Sequence, residues 1–334
     1  MGLAATNLVN SGLMLAAAAA AFVVPFETFL LAYAVLGPLH YLTQIAWLHE
    51  RSYFAPQRRD AWPLVAVTVG VTALAFLQPG GSLLAALVLW AMAWALLAIA
   101  TPDRGLRIAG GVVAAVAALL LHGLPPVTMF ATTWLPTLVH VFVFTGLFVL
   151  YGTVKHRSAT GWLSLGVFVA CGIATLAVPV GNLGYVASDY AREAYAGSMG
   201  NMHANLLRSS GLAELAVPGG GEAGMYAPFT SLLQMLSNEV SVQLGRFVAF
   251  AYTYHYLNWF SKTSVIRWHH VPRPWLVLAV LGWIASVALY AFDYETGLRW
   301  LFLLSLLHVM LELPLDWQTL LAIPRELAAR RASA

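Results

Sequence analysis

Four histidines lie near the middle of four different hydrophobic segments, and they are the residues of this chain best suited to chemistry: His40, His140, His255 and His308. An ionisable side chain at the depth of a lipid bilayer is costly and rare, so each of them marks a functional-site hypothesis. Neutral imidazole is a common ligand for iron, zinc and copper, and it needs no counter-charge when no metal is bound. The pattern therefore predicts a metal or cofactor site inside a membrane, provided that the four segments are neighbours.

Polar side chains accompany these histidines at helical spacing. Gln44 and Glu312 each follow a histidine by four residues, Asn258 follows one by three, and Asp316 lies one further turn beyond Glu312. Residues at these spacings share one face of a helix. Gln44, Asn258 and Glu312 are therefore the expected catalytic companions, which would orient a ring through a hydrogen bond or, for Glu312, bind the metal directly. The alternative for any one histidine is a buried ring bonded to a helix carbonyl or a hydroxyl group.

Aromatic side chains surround the same positions. Those closest in sequence are Tyr41, Phe142, Tyr252, Tyr254 and Trp259. They would form an apolar wall that suits a lipid or isoprenoid substrate arriving from the bilayer. Plain packing between helices is the other interpretation of the same pattern.

One hydrophobic segment carries a second polar face. Glu239, Gln243 and Arg246 are spaced so that they share one side of a helix, and His255 lies about half a turn around from them. Glu239 and Arg246 either neutralise each other or reach a partner on another helix, or they line an access path from outside.

The composition places the chain in a membrane. Of its 334 residues, 60% are hydrophobic and 9% are charged, against roughly 25% charged in a soluble domain. We therefore expect one integral membrane domain spanning residues 1–334. Its basic residues belong to short loops and indicate no nucleic-acid partner, and a single cysteine, Cys171, excludes an internal disulfide.

The fold class expected from hydropathy is an all-α, polytopic transmembrane bundle of about ten spans. The third and fifth segments, 62–77 and 108–121, are shorter than the roughly 17 residues at the low end of the usual range, so eight or nine spans are alternatives. The predicted spans cover residues 8–24, 26–49, 62–77, 83–100, 108–121, 128–151, 162–180, 236–260, 275–292 and 300–322.

Basic residues predict the orientation. Loops on one side carry thirteen Lys and Arg residues and loops on the other carry three, so both termini should be cytoplasmic. The membrane is predicted to be a bacterial cytoplasmic membrane. The loop at about 181–235 would then lie outside, either as an interfacial helix that covers a lateral entrance or as an ordinary cap over the bundle.

The motifs around the four histidines resemble those of the Brp/Blh family of membrane-embedded β-carotene dioxygenases. The matching segments are Gly37-Pro38-Leu39-His40, Leu138-Val139-His140, Tyr254-His255-Tyr256 and Leu307-His308-Val309. That family is held to bind an iron through its histidines and to cleave a polyene with O2. The chain has Gln44 where the family has an acidic residue and Trp259 where it has another histidine, so His308 or Glu312 would have to complete the ligand set.

The resulting hypothesis is a membrane-embedded, non-haem iron oxygenase that acts with O2 on a hydrophobic substrate such as a carotenoid, an isoprenoid or a lipid. Three alternatives stay open, and haem or another transition metal is the alternative cofactor. One is a haem-binding electron carrier with two of the histidines as axial ligands. Another is a proton- or ion-coupled transporter that uses the intramembrane His, Glu and Arg side chains, and the third is a structural subunit of a larger membrane complex.

Overall fold

The structure is a computed structural model that describes residues 2–77, 83–181, 185–220, 224–262, 266–267 and 270–332. Within these ranges every regular element is helical, which confirms the all-α prediction. The helices in chain order are α1 (Leu3–Val23), α2 (Pro25–Leu31), α3 (Gly37–Glu50), α4 (Trp62–Leu77), α5 (Leu83–Ala100), α6 (Arg104–Leu121), α7 (Pro125–Met129), α8 (Thr145–His156), α9 (Ala159–Ala177), α10 (Asp189–Tyr195), α11 (Ser198–Ser209), α12 (Leu212–Ala216), α13 (Leu232–Ser237), α14 (Glu239–Ser261), α15 (Arg273–Phe292) and α16 (Tyr294–Ala332).

Nine helical segments in the described ranges are long and apolar enough to cross a bilayer, so the chain is an integral membrane protein. They are α1, α2 with α3, α4 with the turn before it, α5, α6, α7 with α8, α9, α15 and α16. The short predicted span at 108–121 belongs to an 18-residue helix. That helix begins earlier because the side chain of Asp103 accepts a hydrogen bond from the backbone of Leu106 and caps its first turn.

The tenth predicted span, at 236–260, corresponds to α14. This helix has 23 residues, which gives it a length of roughly 34 Å. It is less apolar than the other nine because it carries the polar residues singled out above. Its crossing of the membrane stays a prediction.

The chain divides into two compact units. The first unit comprises Met1–Gly37, Ser158–Ile266 and Ser286–Leu298, and the second comprises Pro38–Arg157, Arg267–Ala285 and Arg299–Ala334. The expectation of one membrane domain stays a prediction.

In the first unit, α14 packs against α1, α2 and α9. A close approach in this packing depends on a glycine, because a Cβ atom at Gly245 would lie 2.7 Å from the ring of Phe26. Inside the packing, the hydroxyl group of Tyr254 donates to the side-chain oxygen of Asn10 at 3.1 Å. The apolar faces of α1 and α9 therefore bury the polar helix α14.

The long loop predicted at 181–235 is largely helical where the structure describes it. It contains α10, α11, α12 and the start of α13, which pack on one another and on α2 and α14, while residues 182–184 and 221–223 lie outside the described ranges. Glu27 of α2 ties the segment down, since its carboxylate accepts hydrogen bonds of 2.8 Å from the hydroxyl group of Tyr185 and from the backbone of Ser188. These contacts are those of a cap over the first unit.

In the second unit, α4, α5 and α6 pack in sequence. A buried ion pair crosses this packing, because Arg107 of α6 lies 2.8 Å from Asp60 in the turn that precedes α4. The indole nitrogen of Trp94 in α5 also donates to the backbone carbonyl of Asp60 at 3.0 Å. Charged side chains therefore help to join the helices of this unit.

Two spans are widened by π-helical stretches, Ala32–Leu36 between α2 and α3, and Phe130–Phe144 between α7 and α8. Pro38 follows the first stretch and Pro136 lies inside the second. Proline removes a backbone donor and clashes with the carbonyl four residues earlier, so a wider turn relieves the clash. A wider turn also changes the direction of every side chain that follows it.

Candidate metal centre

The second unit brings three of the four histidines into one cluster. The ring centres of His40 and His308 are 5.4 Å apart, and those of His140 and His308 are 5.0 Å apart. The three residues expose only 1%, 2% and 2% of their surface. Imidazoles from three separate spans therefore meet in an interior that is closed to water.

Local structure positions each ring. His40 follows Pro38 by two residues at the start of α3, and His140 follows Pro136 by four residues inside the π-helical stretch. His308 lies in the first half of α16, six residues before Pro314. Two of the three histidines therefore stand beside a proline that alters the helix.

The ring separations are close to those of imidazoles on one ion. A bound imidazole nitrogen lies about 2.1 Å from the metal and the ring centre about 1.2 Å further, so two rings on one tetrahedral ion have centres roughly 5.4 Å apart. The observed separations are 5.4 Å for His40 and His308 and 5.0 Å for His140 and His308.

A carboxylate borders the same cluster. Oε2 of Glu312 lies 3.7 Å from Nε2 of His140, too far for a hydrogen bond. Two atoms that each lie about 2.1 Å from one ion are at most roughly 4.2 Å apart, so this pair also fits a common metal. The side chain of Gln44 forms a hydrogen bond with Glu312 and so holds the carboxylate in place.

Tyr41 supplies the aromatic contact in this unit. Its ring stacks on that of His308 with centres 4.2 Å apart and planes inclined by 24°, and it is fully buried. Phe142, two residues beyond His140, is half-buried. Tyr41 therefore fixes the plane of one candidate ligand.

The fourth histidine belongs to the first unit. His255 is buried in α14, with its ring edge-on to Tyr256 at 5.5 Å. Asn258 accepts a hydrogen bond of 3.3 Å from Tyr254, and Tyr252 packs edge-on against Phe29. Trp259 is buried in the same helix. The assignments of His255 as a ligand and of Asn258 as its partner stay predictions.

The second polar face on α14 has a structural partner. Arg246 donates to the backbone carbonyl of Val178 at 3.0 Å, and the amide group of Gln243 donates to the same carbonyl at 3.4 Å. The guanidinium of Arg246 also lies over the ring of Phe22 at 4.8 Å. These donors satisfy carbonyl groups at the end of α9. Glu239 lies in the first turn of α14, where its negative charge interacts favourably with the helix dipole.

A cavity that sequence reasoning did not identify lies in the first unit, between α10 and the turn from α15 to α16. Its volume is about 110 Å³, and its lining includes Tyr190, Glu193, Tyr290, Asp293, Tyr294 and Glu295. The run of tyrosines and acids at 290–295 is the only sequence signal for it. Asp293 and Glu295 hold backbone groups there, since they accept hydrogen bonds from Thr296 and Ser198.

Comparisons of the chain with protein-family models, with curated proteins and with solved structures give no match. Any assignment of function therefore rests on the residues and geometry of the site itself.

Proposed function

We propose that the protein is a membrane-embedded oxidoreductase with a histidine-ligated non-haem iron, which acts with O2 on a hydrophobic substrate. One observation carries the proposal: His40, His140 and His308, from three spans of one unit, lie buried with ring centres 5.0 and 5.4 Å apart. Burying three imidazoles at this depth is costly unless a bound ion or a network of hydrogen bonds compensates for it.

The ligand types favour iron among the common metals. Imidazole nitrogen suits iron, zinc and copper, and a histidine set with an adjacent carboxylate is the pattern that non-haem iron oxygenases use. His40, His140 and His308 would hold the ion, with Glu312 as the negatively charged ligand or neighbour. Iron with open coordination positions binds and activates O2.

The resemblance to Brp/Blh dioxygenases suggests the substrate class. Cleavage of a carbon–carbon double bond with O2 places one oxygen atom on each carbon, so it needs no external reductant. A carotenoid, an isoprenoid or an unsaturated lipid supplies such a bond and dissolves in the bilayer, which we propose is a bacterial cytoplasmic membrane. Tyr41 and Phe142 would lie beside this substrate.

Packing around His308 favours a bare ion over haem. A porphyrin between two axial histidines needs a flat gap on both faces of the macrocycle. Here Tyr41 stacks on His308 at 4.2 Å, and the rings of His40 and His140 contact the same residue edge-on. Three rings therefore fill the space around His308.

The first test is the metal and optical content of the full chain, purified in mild detergent without chelator. We expect about one iron per chain and no Soret band, with the iron lost in His140→Ala and His308→Ala. His49→Ala is the matched control, because His49 lies on the same helix as His40 but bonds to Tyr53, so it should keep its iron. A folded wild-type protein without metal would overturn the proposal, and a Soret band would replace it with a haem protein.

Two further measurements complete this test. Loss of iron in His255→Ala would support His255 as the fourth ligand. Retention of iron would limit the ligands to residues of the second unit. The iron-loaded protein should consume O2 when supplied with a carotenoid, an isoprenoid or an unsaturated lipid, and His140→Ala should not. An iron protein inert toward all three, but moving protons in liposomes, would be a transporter instead.

A further inference from the structure

Oxygen-bearing side chains form a second layer beside the histidines in the second unit. Gln44, Glu312 and Asp316 expose 1%, 5% and 1% of their surface. Gln44 lies one turn beyond His40 on α3, Glu312 one turn beyond His308 on α16, and Asp316 one turn further still. Four residues of helix rise about 6 Å, so this layer starts one turn from the imidazoles.

Contacts between α3 and α16 follow the same order on both helices. The His40 ring meets that of His308, and the Gln44 side chain bonds to Glu312. Further along, the side-chain nitrogen of Gln318 donates to the backbone carbonyl of Phe54 just after α3. The two helices therefore run in parallel, and the contact between Gln44 and Glu312 joins the oxygens of one helix to those of the other.

Several acceptor atoms in this layer have no hydrogen-bond donor among the described residues. They are Oε1 of Gln44, Oε2 of Glu312 and both carboxylate oxygens of Asp316. The amide nitrogen of Gln44 must be the atom that donates to Glu312, since a carboxylate offers acceptors only, so Oε1 of Gln44 is left as a lone acceptor. Buried acceptors without donors are costly, and each one requires an explanation.

The charges in this layer also lack a counter-charge. Neither Glu312 nor Asp316 has a Lys or Arg side chain within ion-pair distance in the described part of the chain, and the near contact of Glu312 is His140. Two buried carboxylates without a cation repel each other, whereas a divalent ion would neutralise both.

We propose that Gln44, Glu312 and Asp316 form a second cation subsite, lined by oxygen, with Glu312 shared between it and the histidine centre. Carboxylate and amide oxygens suit hard divalent ions such as Mn²⁺, Fe²⁺ and Mg²⁺. The subsite makes the proposed centre dinuclear, with one half rich in nitrogen and the other rich in oxygen. It rests on the proposed function, because it shares Glu312 with the histidine site.

A shared carboxylate has a chemical consequence. Ions bridged in this way commonly lie about 3.5–4 Å apart and act together on a substrate bound between them. The Oε2 atom of Glu312 lies 3.7 Å from His140 and its carboxylate is bonded to Gln44, so it borders both halves.

The test counts ions in the full chain in detergent, after dialysis against Mn²⁺ and removal of loosely bound metal. We expect the wild type to hold two ions per chain, iron and Mn²⁺. Asp316→Asn, which keeps the shape of the side chain, should hold only the iron, and Gln44→Leu should bind Mn²⁺ about tenfold more weakly or worse. Glu326→Gln, on the same helix, is the control for adventitious binding and should hold two ions.

The outcomes separate this inference from the proposed function. One iron in both the wild type and Asp316→Asn would overturn the subsite and leave the histidine centre standing. No ion in either protein would overturn both. Loss of iron together with Mn²⁺ in a folded Asp316→Asn protein would also overturn the subsite, because the carboxylate would then belong to a single mononuclear site. The electron paramagnetic resonance spectrum of Mn²⁺ in the wild type gives a measurement that needs no variant. In iron-loaded protein, a Mn²⁺ signal without magnetic coupling to the iron would contradict a shared carboxylate.

Discussion

His203, in the cap of the first unit, is a buried histidine that lies outside the proposed metal centre. Its side chain is fully buried, its Nε2 lies 2.9 Å from the hydroxyl oxygen of Ser241, and its ring contacts Phe26 and Tyr195 edge-on. Burial lowers the pKa of His203 to about 4, because the charged ring would lose its hydration. The neutral imidazole therefore bonds to Ser241 through Nε2, while its buried Nδ1 has no hydrogen-bond partner among the described residues.

This shift predicts an acid sensitivity. His203 takes up its proton near pH 6.5 in the unfolded chain and only near pH 4 in the folded chain. Its contribution to the free energy of unfolding is therefore fully present above about pH 6.5 and is lost as the pH falls toward 4. Between pH 7 and pH 5 the loss is about 2 kcal/mol. Thermal unfolding of His203→Gln should show a smaller decrease over this range than the wild type.

The exposed His156 provides the comparison. His156→Gln should respond to pH as the wild type does. Parallel pH dependence of His203→Gln and the wild type would contradict the assignment of this loss to His203.

At the scale of elements, the π-helical stretch Phe130–Phe144 is what sets the direction of His140. Its backbone is supported by threonine hydroxyl groups, since Thr132 donates to the carbonyl of Thr128 at 2.8 Å and Thr137 donates to that of Thr133. Such bonds from a threonine to a carbonyl one turn earlier often accompany a bend in a helix. The stretch therefore has hydroxyl donors on both sides of Pro136.

Pro136→Ala should allow this stretch to narrow toward an ordinary α-helix. His140 would then rotate away from His308, and the protein should lose iron to a chelator about tenfold more readily than the wild type. Metal per chain after timed exposure to chelator measures this. Pro126→Ala is the matched control, since Pro126 lies at the start of α7, where proline is tolerated.

If both proline variants retain iron as the wild type does, the π-helical stretch does not position His140. A loss in Pro126→Ala equal to that in Pro136→Ala would attribute the effect to general disturbance of the span.

The sequence predicts where the hydrophobic helices lie along the chain, but it does not predict which helices pack against each other. The predicted spans at 62–77 and 83–100 coincide with α4 and α5, because an apolar run of this length has one stable form in a bilayer. Helical spacing also placed Glu312 on the same face as His308. It could not show that Gln44 would bond to Glu312, since a position along one helix says nothing about which helix lies beside it.

The helices of the cap are harder to predict from the sequence than the membrane spans. Residues 185–220 lack the long apolar runs of the spans, so hydropathy alone does not predict the helices α10, α11 and α12. Their stability comes from contacts with α2 and α14 and from the Glu27 anchor, which join residues far apart in the chain. Tertiary packing of this kind stabilises helices that the local sequence pattern does not predict.

For the whole molecule, the basic loops predict both termini on the cytoplasmic side and the cap outside. Labelling of single cysteines in intact cells, in a Cys171→Ser background, tests this orientation. A membrane-impermeant thiol reagent should label Leu215→Cys, whose side chain is 69% exposed in the cap. It should label Gln57→Cys only after the membrane is permeabilised. Reversed labelling would contradict the predicted orientation.

The parallel course of α3 and α16 constrains the number of membrane crossings. A chain changes direction at every crossing, so two spans that point the same way are separated by an even step in the count. Among the described residues, the candidate span that ends in α3 is the second and α16 is the ninth. If each candidate crosses the bilayer once, an even number for α16 requires one further crossing before it, and α14 would be that crossing. An even total would then place both termini on the same side, as the basic loops predict.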